Sequence, residues 1–251
     1  MSVFITGASA GIGEACARAF AAAKHDLVLV ARRKDRLDKL SQELQSEFKV
    51  QVHALECDVR DHHSVEALFQ KHPSVMKGVD ILLNNAGLAL GRGGLQDGNP
   101  EDWDAMIDTN LKGLLYVTRA FLPQMIAAKK GHVINLGSVA GYWVYPGGNV
   151  YCASKYAVRA LTEGLRLDLL GTGVRVTEIS PGMVESDFSK VRFKGDMQKA
   201  AATYQGLTPL TPSDIAETIL WCAQRPAHVN IQDVVIYPTD QASVEHAFRR
   251  K

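Results

Sequence analysis

Short apolar strands alternate with longer helical stretches along the chain, and this alternation limits the possible folds more than any other feature. Strands that are apolar throughout, each followed by a helix, are typical of a parallel sheet covered on both faces. Right-handed crossovers then predict a doubly wound α/β sheet of Rossmann type with helices on both faces. We predict seven strands, over residues 3–6, 26–31, 50–55, 79–83, 132–136, 174–179 and 234–237.

Helical patterns fill the intervals between these strands. One of them, 103–128, is interrupted by Gly113 and carries Pro123 near its end. The alternation continues to the C-terminal region, so residues 1–251 are predicted to form one domain. Only residues 182–211 depart from it, and in a compact domain such a segment is more often a functional lid than disorder. We expect it to cover a substrate. The predicted helices span 11–23, 34–48, 64–71, 103–128, 151–170 and 212–224.

The charge balance and the apolar pattern exclude several kinds of partner. The chain has 28 basic and 27 acidic residues, a net charge of +1, whereas proteins that bind nucleic acid usually show a basic excess. No apolar run approaches the ~20 residues of a membrane span, and no secretory signal is evident. The scattered cysteines indicate buried thiols, and neither they nor the histidines show metal-binding spacing. We expect a cytoplasmic protein without metal, nucleic-acid or membrane partners.

A glycine-rich turn follows the first predicted strand and leads directly into a helix. Glycines let the backbone approach a pyrophosphate, and the helix N-terminus offers free N–H groups and a favourable dipole. A glycine cluster alone is weak evidence, but the required strand–turn–helix context is present here. The turn predicts a dinucleotide site that includes Thr6, Gly7, Ser9, Ala10, Gly11, Ile12 and Gly13.

The end of the second strand indicates which dinucleotide binds. A carboxylate at this point would bind the ribose 2′-hydroxyl of NAD. This chain has Arg32 and Arg33 instead. Guanidinium groups carry a permanent charge and forked donors, which suit the 2′-phosphate of NADP. We therefore predict NADP, the alternative being a solvated basic helix start.

Residues after the third and fourth strands extend the predicted cofactor site. Asp58, followed by Val59, is placed to accept a hydrogen bond from the adenine amino group. The alternative is that Asp58 caps the next helix. Asn85, Ala86 and Gly87 follow the fourth strand, at the carboxyl edge where ligands bind in such sheets.

Four polar residues predict an acid/base site. Tyr151 and Lys155 are four residues apart at the start of a predicted helix, and so lie on one helix face. A nearby ammonium favours phenolate and should lower the pKa of a tyrosine from its usual ~10. Ser138 ends the fifth strand at the carboxyl edge, and Asn110 lies in the preceding long helix.

The chain resembles the short-chain dehydrogenases/reductases over essentially its whole length. The family's motifs occur in the family's order and spacing, as Thr6-Gly7-x-x-x-Gly11-x-Gly13, Asn84-Asn85-Ala86-Gly87, Asn110, Ser138, Tyr151-x-x-x-Lys155 and Pro181-Gly182. The resemblance implies that Tyr151 passes a proton to a substrate carbonyl oxygen, to which Ser138 donates a hydrogen bond. It also implies that Lys155 binds the nicotinamide ribose and lowers the pKa of Tyr151.

The same resemblance assigns the remaining positions around the nicotinamide. Asn110 would anchor a water that connects Lys155 with solvent. Ser186 stands near the place where the family often has a threonine that contacts the cofactor. The carboxamide would be positioned by the backbone around Pro181, Gly182 and Val184.

Four longer strings resemble a narrower group, the NADP-dependent 3-hydroxy acid dehydrogenases, which include serine-oxidising enzymes, and the similar sulfoacetaldehyde reductases. The strings are residues 84–91, 147–151, 188–196 and 226–231. They imply a small acidic carbonyl compound and its hydroxy form as the reactants. Side-chain identity alone does not separate a carboxylate from a sulfonate.

Arg192, in the predicted lid, is the candidate to clamp the acid group by charge-assisted hydrogen bonds, with Lys194 as a second nearby cation. The alternative is that Arg192 pairs with Asp187 or Asp196 to hold the lid closed. The other residues predicted to contact substrate are Ser138, Tyr145, Asn149 and Tyr151.

Two other functions stay open at this point. One is a reductase of neutral carbonyl compounds such as steroids, sugars or diketones. The other is an NADP-binding regulator without catalysis, against which the intact acid/base residues argue. The resemblance also implies a homotetramer, with the helices around 103–128 and 151–170 in one interface. The C-terminal residues 248–251 would then reach a neighbouring subunit, or fray.

Overall fold

A computed structural model describes residues 1–250. Seven strands form one parallel sheet in the order β3-β2-β1-β4-β5-β6-β7, which confirms the predicted doubly wound fold. The order reverses between β1 and β4, and a crevice for ligands opens there at the carboxyl edge. The strands are β1 Ser2–Thr6, β2 Asp26–Ala31, β3 Val52–Glu56, β4 Val79–Asn84, β5 Gly131–Leu136, β6 Val174–Pro181 and β7 Asp233–Ile236.

Within residues 1–250, ten α-helices connect and cover the strands. Because successive strand residues point to opposite faces, β1 contributes Val3 and Ile5 to one buried cluster and Phe4 to another. The first cluster packs against α1, α2 and α10, and the second against α3 and α6. The helices are α1 Gly11–Ala22, α2 Lys34–Phe48, α3 His62–Lys71, α4 Pro73–Lys77, α5 Pro100–Ile107, α6 Leu114–Ala127, α7 Asn149–Asp168, α8 Asp187–Arg192, α9 Met197–Ala202 and α10 Pro212–Ala223.

The predicted helix over 103–128 is two helices joined by a turn of π-helix, Asp108–Gly113. A Cβ on Gly113 would lie 2.8 Å from Cγ2 of Val59, so only glycine lets the chain approach that loop without displacing it. Pro123 stands inside α6 without ending it. Single-turn π insertions are frequent at functional sites, and this one carries Asn110.

Residues 182–211 are more ordered than their sequence pattern suggests. They contain α8 and α9, and a short parallel bridge between Val184 and Leu210 closes the segment on itself. Helices of six residues give a weak periodic signal, which is why the pattern did not predict them.

The C-terminal residues bond to their own chain. The backbone N–H of Arg250 donates to the Gly206 carbonyl, and its guanidinium pairs with Asp240 at 2.7 Å. Arg249 Nη2 donates to the Thr203 carbonyl at 3.1 Å. Residues 248–250 therefore do not fray, and Lys251 lies outside the described residues. Between residues 1 and 250, none of the helices has the length and apolarity required to cross a bilayer.

Candidate active site

The glycine turn is held in shape by the loop that follows β4. Thr6 Oγ1 accepts hydrogen bonds from the backbone N–H groups of Asn85 and Ala86, both at 2.9 Å. Asn85 Nδ2 donates back to the Thr6 carbonyl at 2.8 Å. A Cβ on Gly13 would lie 2.5 Å from both Asn85 Nδ2 and the Gly7 carbonyl oxygen. Thr6 and Gly13 therefore support the wall of the crevice and do not line it themselves.

A cleft of about 320 Å³ runs along this turn and the ends of β2, β3 and β4. Most of the predicted cofactor residues meet there. Gly7 and Gly11 have φ of +66° and +57°, a conformation that glycine adopts without strain. Sequence reasoning missed Thr109, Leu88 and the α8 residues that also face the cleft. The predicted residues that line it are Gly7, Ser9, Ala10, Gly11, Ile12, Arg32, Arg33, Asp58, Val59, Asn85, Ala86, Gly87 and Ser186.

The two arginines after β2 occupy different positions. Arg33 donates from Nη2 and Nε to Ser9 Oγ, at 2.9 and 3.1 Å, so the glycine turn holds its guanidinium over the cleft. Burial and the neighbouring Arg36 lower the pKa of Arg33 from its usual value. Arg32 is exposed and lines the same cleft. This placement gives two cations at one end of the cleft.

Asp58 does not cap the next helix. The cap of α3 is Asp61, whose side chain accepts from the backbone N–H of His63. Asp58 pairs with Arg60 at 2.6 Å and lines the cleft beside Val59. Hydrogen bonds from Arg60 lower the pKa of Asp58, so its carboxylate is charged at neutral pH. A charged acceptor at this end of the cleft is compatible with the predicted contact to an adenine amino group.

The acid/base residues converge where β5 ends and α7 begins. Ser138 follows β5 and caps a short 3₁₀ turn, Val139–Gly141, by accepting from the Ala140 N–H at 3.1 Å. Tyr151 and Lys155 lie in the first two turns of α7, both buried. Lys155 Nζ donates to the Leu136 carbonyl at 2.7 Å. Burial lowers the pKa of Lys155 to about 8.

The protonation of Tyr151 differs from the prediction. Burial raises the pKa of its phenol, and only the hydrogen bond to Ser138 and the charge of Arg192 oppose this rise. Burial outweighs the predicted lowering by a nearby ammonium, so the pKa of the phenol stands above its usual value. The phenol is therefore held protonated, which is the form that can donate a proton.

Asn110 fastens the π-helical turn to the active site. Its Oδ1 accepts from the Leu88 N–H at 2.8 Å, and its Nδ2 donates to the Leu88 carbonyl at 2.8 Å and to Ser154 Oγ at 3.0 Å. The side chain is buried and lies close to Gly87, whose added Cβ would meet Asn110 Oδ1 at 3.2 Å and Lys155 Nζ at 3.7 Å. Asn110 therefore lies close to Lys155, and its side chain fastens the π-helical turn to Leu88 and Ser154.

A pocket of about 110 Å³ joins the acid/base residues to the cleft. Ser186 caps α8 by accepting from the Phe188 N–H at 3.3 Å. Gly182 packs against Gln241, because an added Cβ would lie 2.5 Å from Gln241 Oε1. The predicted residues in this pocket are Ile12, Asn85, Gly87, Ser138, Tyr151, Lys155, Pro181, Gly182, Val184 and Ser186.

A second cavity, of about 140 Å³, lies on the other side of Ser138 and Tyr151. Arg192 enters it from α8, with its Cζ 5.3 Å from the Tyr145 ring centroid and 5.7 Å from that of Tyr151. Its Nε donates to the Gly91 carbonyl at 3.2 Å, while its Nη2 is buried and has no partner among the described residues. A buried guanidinium N–H without an acceptor calls for an anion.

The alternative reading of Arg192 as an ion-pair partner within the lid is wrong. Asp187 pairs with Lys190 at 2.8 Å, and Asp196 pairs with Lys199 at 3.0 Å. Each acid thus finds a lysine three residues along its own helical turn, which leaves Arg192 for the cavity.

Lys194 is not a second cation of this cavity. Its Nζ pairs with Asp102 at 2.8 Å, which neutralises its charge. Asn149 is exposed and lines a neighbouring pocket of about 310 Å³ together with Arg192 and Tyr151, rather than the cavity that holds Ser138.

The sequence reasoning missed several residues of the cavity. They come from segments distant in the chain, and Gln241 also fixes the loop after β6 by accepting from the Met183 N–H at 2.8 Å. Among them, Arg92 could have been predicted, because it directly follows the string 84–91 that resembles the narrower group. The missed residues include Arg92, Met183, Phe188, Ser189, Tyr204 and Gln241.

The structure contains no metal-binding cluster in the part of the chain it describes: no group of three or more His, Cys, Asp or Glu side chains comes together between residues 1 and 250. All four cysteines are buried and unpaired.

The fold and the site together define a class of protein. The family described as short chain dehydrogenase matches residues 1–196, and the chain belongs to this family. It is 48% identical over 243 residues to an NADP-dependent 3-hydroxy acid dehydrogenase of Salmonella typhi, a match that covers 96% of each chain.

Two further proteins are similar to this chain over nearly its whole length. A sulfoacetaldehyde reductase of Chromohalobacter salexigens is 48% identical over 241 residues, which cover 96% of this chain and 95% of the relative. The closed form of a serine dehydrogenase complexed with NADP⁺ matches with a TM-score of 0.92 and 46% identity, covering 100% of both chains. All three relatives extend over nearly the whole chain.

Proposed function

We propose that this chain is an NADP(H)-dependent oxidoreductase that interconverts a small acidic carbonyl compound and its hydroxy form. The observation that carries this proposal is the unpartnered, buried Nη2 of Arg192 in the same cavity as Ser138 and Tyr151. If Arg192 binds the acid group of a short substrate, the carbonyl at the other end of the substrate would lie near the Tyr151 phenol. The names of the relatives, which act on 3-hydroxy acids and sulfoacetaldehyde, support the same substrate class.

The residues of the cleft suit NADP. The glycine turn keeps backbone N–H groups at the start of α1 available for a pyrophosphate. Arg33, oriented by Ser9, and the exposed Arg32 suit a 2′-phosphate. When bound, NADPH supplies the hydride that reduces the carbonyl carbon.

The protein supplies a proton and a fixed position for the substrate. Tyr151 donates its phenolic proton to the carbonyl oxygen, and Ser138 donates a hydrogen bond to the same oxygen. The Leu136 carbonyl holds Lys155 close to this centre. Arg192 orients the substrate through its acid group. Residues 182–211 act as a substrate lid, since α8 and the loop to α9 form one wall of the cavity.

A substrate panel tests the proposal directly. The oxidation of NADPH and of NADH is followed with sulfoacetaldehyde, malonic semialdehyde and neutral aldehydes of similar size. We expect the highest kcat/KM with an acidic aldehyde and NADPH. A preference for the neutral aldehydes would instead support a reductase of neutral carbonyls and contradict an acid clamp.

The role of Arg192 is tested by Arg192→Ala. Removing a charge-assisted contact should raise the KM for acidic aldehydes by about tenfold or more. The matched control is Lys199→Ala, an exposed cation of the same segment whose partner is Asp196. An unchanged KM in Arg192→Ala would exclude the clamp.

We further propose that the protein is a cytoplasmic homotetramer. Large apolar side chains are exposed on both long helices, Leu115 and Ile126 on α6 and Leu167 on α7. Association through these two helices would bury such side chains. The four unpaired thiols suit a reducing compartment. Sedimentation velocity of the full chain tests the assembly, and a monomer at micromolar concentration would exclude it.

A further inference from the structure

Gly91 and Arg192 form a reciprocal contact between the loop after β4 and the end of α8. The Gly91 N–H donates to the Arg192 carbonyl at 2.9 Å, and Arg192 Nε donates to the Gly91 carbonyl at 3.2 Å. The next residue, Arg92, is exposed and lines the same cavity as Arg192. The two arginines are a hundred residues apart in sequence but belong to one wall of the substrate cavity.

Both guanidinium groups lie against one aromatic ring. Their Cζ atoms are 5.6 Å (Arg92) and 5.3 Å (Arg192) from the centroid of Tyr145. Gly147 lets the Arg92 chain approach, because an added Cβ would lie 3.1 Å from Arg92 Cγ. The ring quadrupole offsets only part of the repulsion between two like charges.

Neither arginine is neutralised by protein. Within residues 1–250, no carboxylate pairs with either of them, whereas the neighbouring Lys194 is paired with Asp102. Arg192 Nη2 is buried without an acceptor. Two uncompensated guanidinium groups at one cavity favour an anion that can accept hydrogen bonds from both.

The two candidate acid groups, a carboxylate and a sulfonate, differ in how many guanidinium groups their oxygens can bind. A carboxylate is planar, and one guanidinium satisfies both of its oxygens through two parallel hydrogen bonds. A sulfonate is tetrahedral and has a third oxygen outside the plane of any such pair. A second guanidinium that lines the same cavity offers a donor for that third oxygen.

We propose that Arg92 is a specificity-determining residue that, with Arg192, selects a sulfonate over a carboxylate. The proposal rests on the proposed function, because it assigns the acid group of the substrate to Arg192. It makes a short aldehyde with a terminal sulfonate the preferred substrate. Arg92 has no part in proton transfer.

Steady-state kinetics of Arg92→Gln, Arg192→Gln and the control Lys199→Gln test this assignment, with sulfoacetaldehyde and malonic semialdehyde as substrates. For Arg92→Gln we expect the KM for sulfoacetaldehyde to rise by about tenfold, as for the loss of one charge-assisted contact, and the KM for malonic semialdehyde to change by less than about threefold. Arg192→Gln should raise both KM values. Lys199→Gln should change neither, since Lys199 is exposed and pairs with Asp196 outside the cavity.

Competitive inhibition gives a second readout that does not depend on turnover of the analogue. Ethanesulfonate and propionate carry the two acid groups on the same short chain and lack a carbonyl. We expect Arg92→Gln to weaken inhibition by ethanesulfonate more than inhibition by propionate. The KM for NADPH should stay unchanged.

The outcomes separate this proposal from the one on which it rests. If Arg92→Gln affects both substrates equally or neither, or if wild-type protein prefers malonic semialdehyde, the assignment to Arg92 is wrong while the acid clamp stands. If Arg192→Gln leaves both KM values unchanged, the proposed function itself fails. It also fails if the wild-type protein reduces neither sulfoacetaldehyde nor malonic semialdehyde.

Discussion

At the scale of the residue, Tyr151 is the group on which the proposed proton transfer depends. Its phenol is buried, which raises its pKa, and Ser138 and Arg192 act in the opposite direction. A tyrosine in this environment is protonated at neutral pH and can act as the acid in carbonyl reduction. The same phenol must lose its proton for the reverse reaction, which is harder in a buried position.

Replacing Tyr151 by phenylalanine should abolish the proton donor and leave the cleft intact. We expect kcat to fall by ~10²–10⁴, the usual contribution of general acid catalysis. NADPH should still bind, as measured by a fluorescence titration. Tyr156→Phe is the control, because Tyr156 lies on the same helix but faces outward. Near-normal turnover of the Tyr151 variant would identify a different acid.

Arg33 should determine the preference for NADPH. Its guanidinium is held by Ser9 at the cleft, where a 2′-phosphate would accept from it. Arg33→Ala should raise the KM for NADPH by about tenfold or more and leave the KM for NADH nearly unchanged. Lys34→Gln is the control, since Lys34 already pairs with Asp38. Equal losses with both cofactors would show that Arg33 only supports the turn.

At the scale of the element, the glycine turn depends on packing as much as on φ. Gly7 and Gly11 need positive φ, but Gly13 is helical and is required for a different reason. A methyl group on its Cα would lie 2.5 Å from Asn85 Nδ2 and from the Gly7 carbonyl oxygen, which leaves no room for it. The turn and the loop after β4 therefore form one unit, which the sequence motif alone does not reveal.

Gly13→Ala should disrupt this unit. The added methyl would force Asn85 or the turn to move, and overpacking of this kind costs ~1–3 kcal/mol. Urea denaturation should show the loss of stability, together with weaker NADPH binding. Gly78→Ala is the control, because an added Cβ there meets nothing closer than 3.9 Å and φ is −85°. Equal stability of the two variants would refute the close contact.

At the scale of the whole molecule, His132 links the stability of the fold to pH. It lies in the central strand β5, buried, with Nε2 at 2.8 Å from Thr177 Oγ1. Burial, with a smaller effect of Arg175, lowers its pKa from 6.5 to about 3. Between these values the unfolded chain binds a proton that the folded chain does not. The stabilising effect is therefore present above pH 6.5 and is lost as the pH falls towards 3.

As the pH falls below 6.5, the free energy of unfolding should therefore decrease. The contribution of His132 to this slope should approach ~1.4 kcal/mol per pH unit. His132→Asn should reduce the slope between pH 6.5 and pH 4.5, whatever its effect on stability at pH 8. His62→Asn, at an exposed position, should leave the slope unchanged. An unaltered slope in the His132 variant would show that this histidine titrates normally.

The strand pattern predicted the parallel sheet because wholly apolar strands have only one stable environment, burial between two helical layers. Strand ends were predicted to within two residues, as for β3, which begins at Val52 rather than at residue 50. The short helices α8 and α9 and the π-helical turn were not predicted, since each is too short for a periodic signal. Their positions depend on contacts such as the bridge between Val184 and Leu210.

The sequence by itself determined the fold class and the glycine turn, and it predicted the candidate acid/base residues. These depend on local pattern and on fixed spacing, such as the four residues from Tyr151 to Lys155. Only the tertiary structure decided which charges remain available. It paired Asp187, Asp196 and Lys194 with other partners and left Arg192 and Arg92 at the cavity. Pairing between charges depends on distances across the folded chain, and spacing along the sequence does not encode those distances.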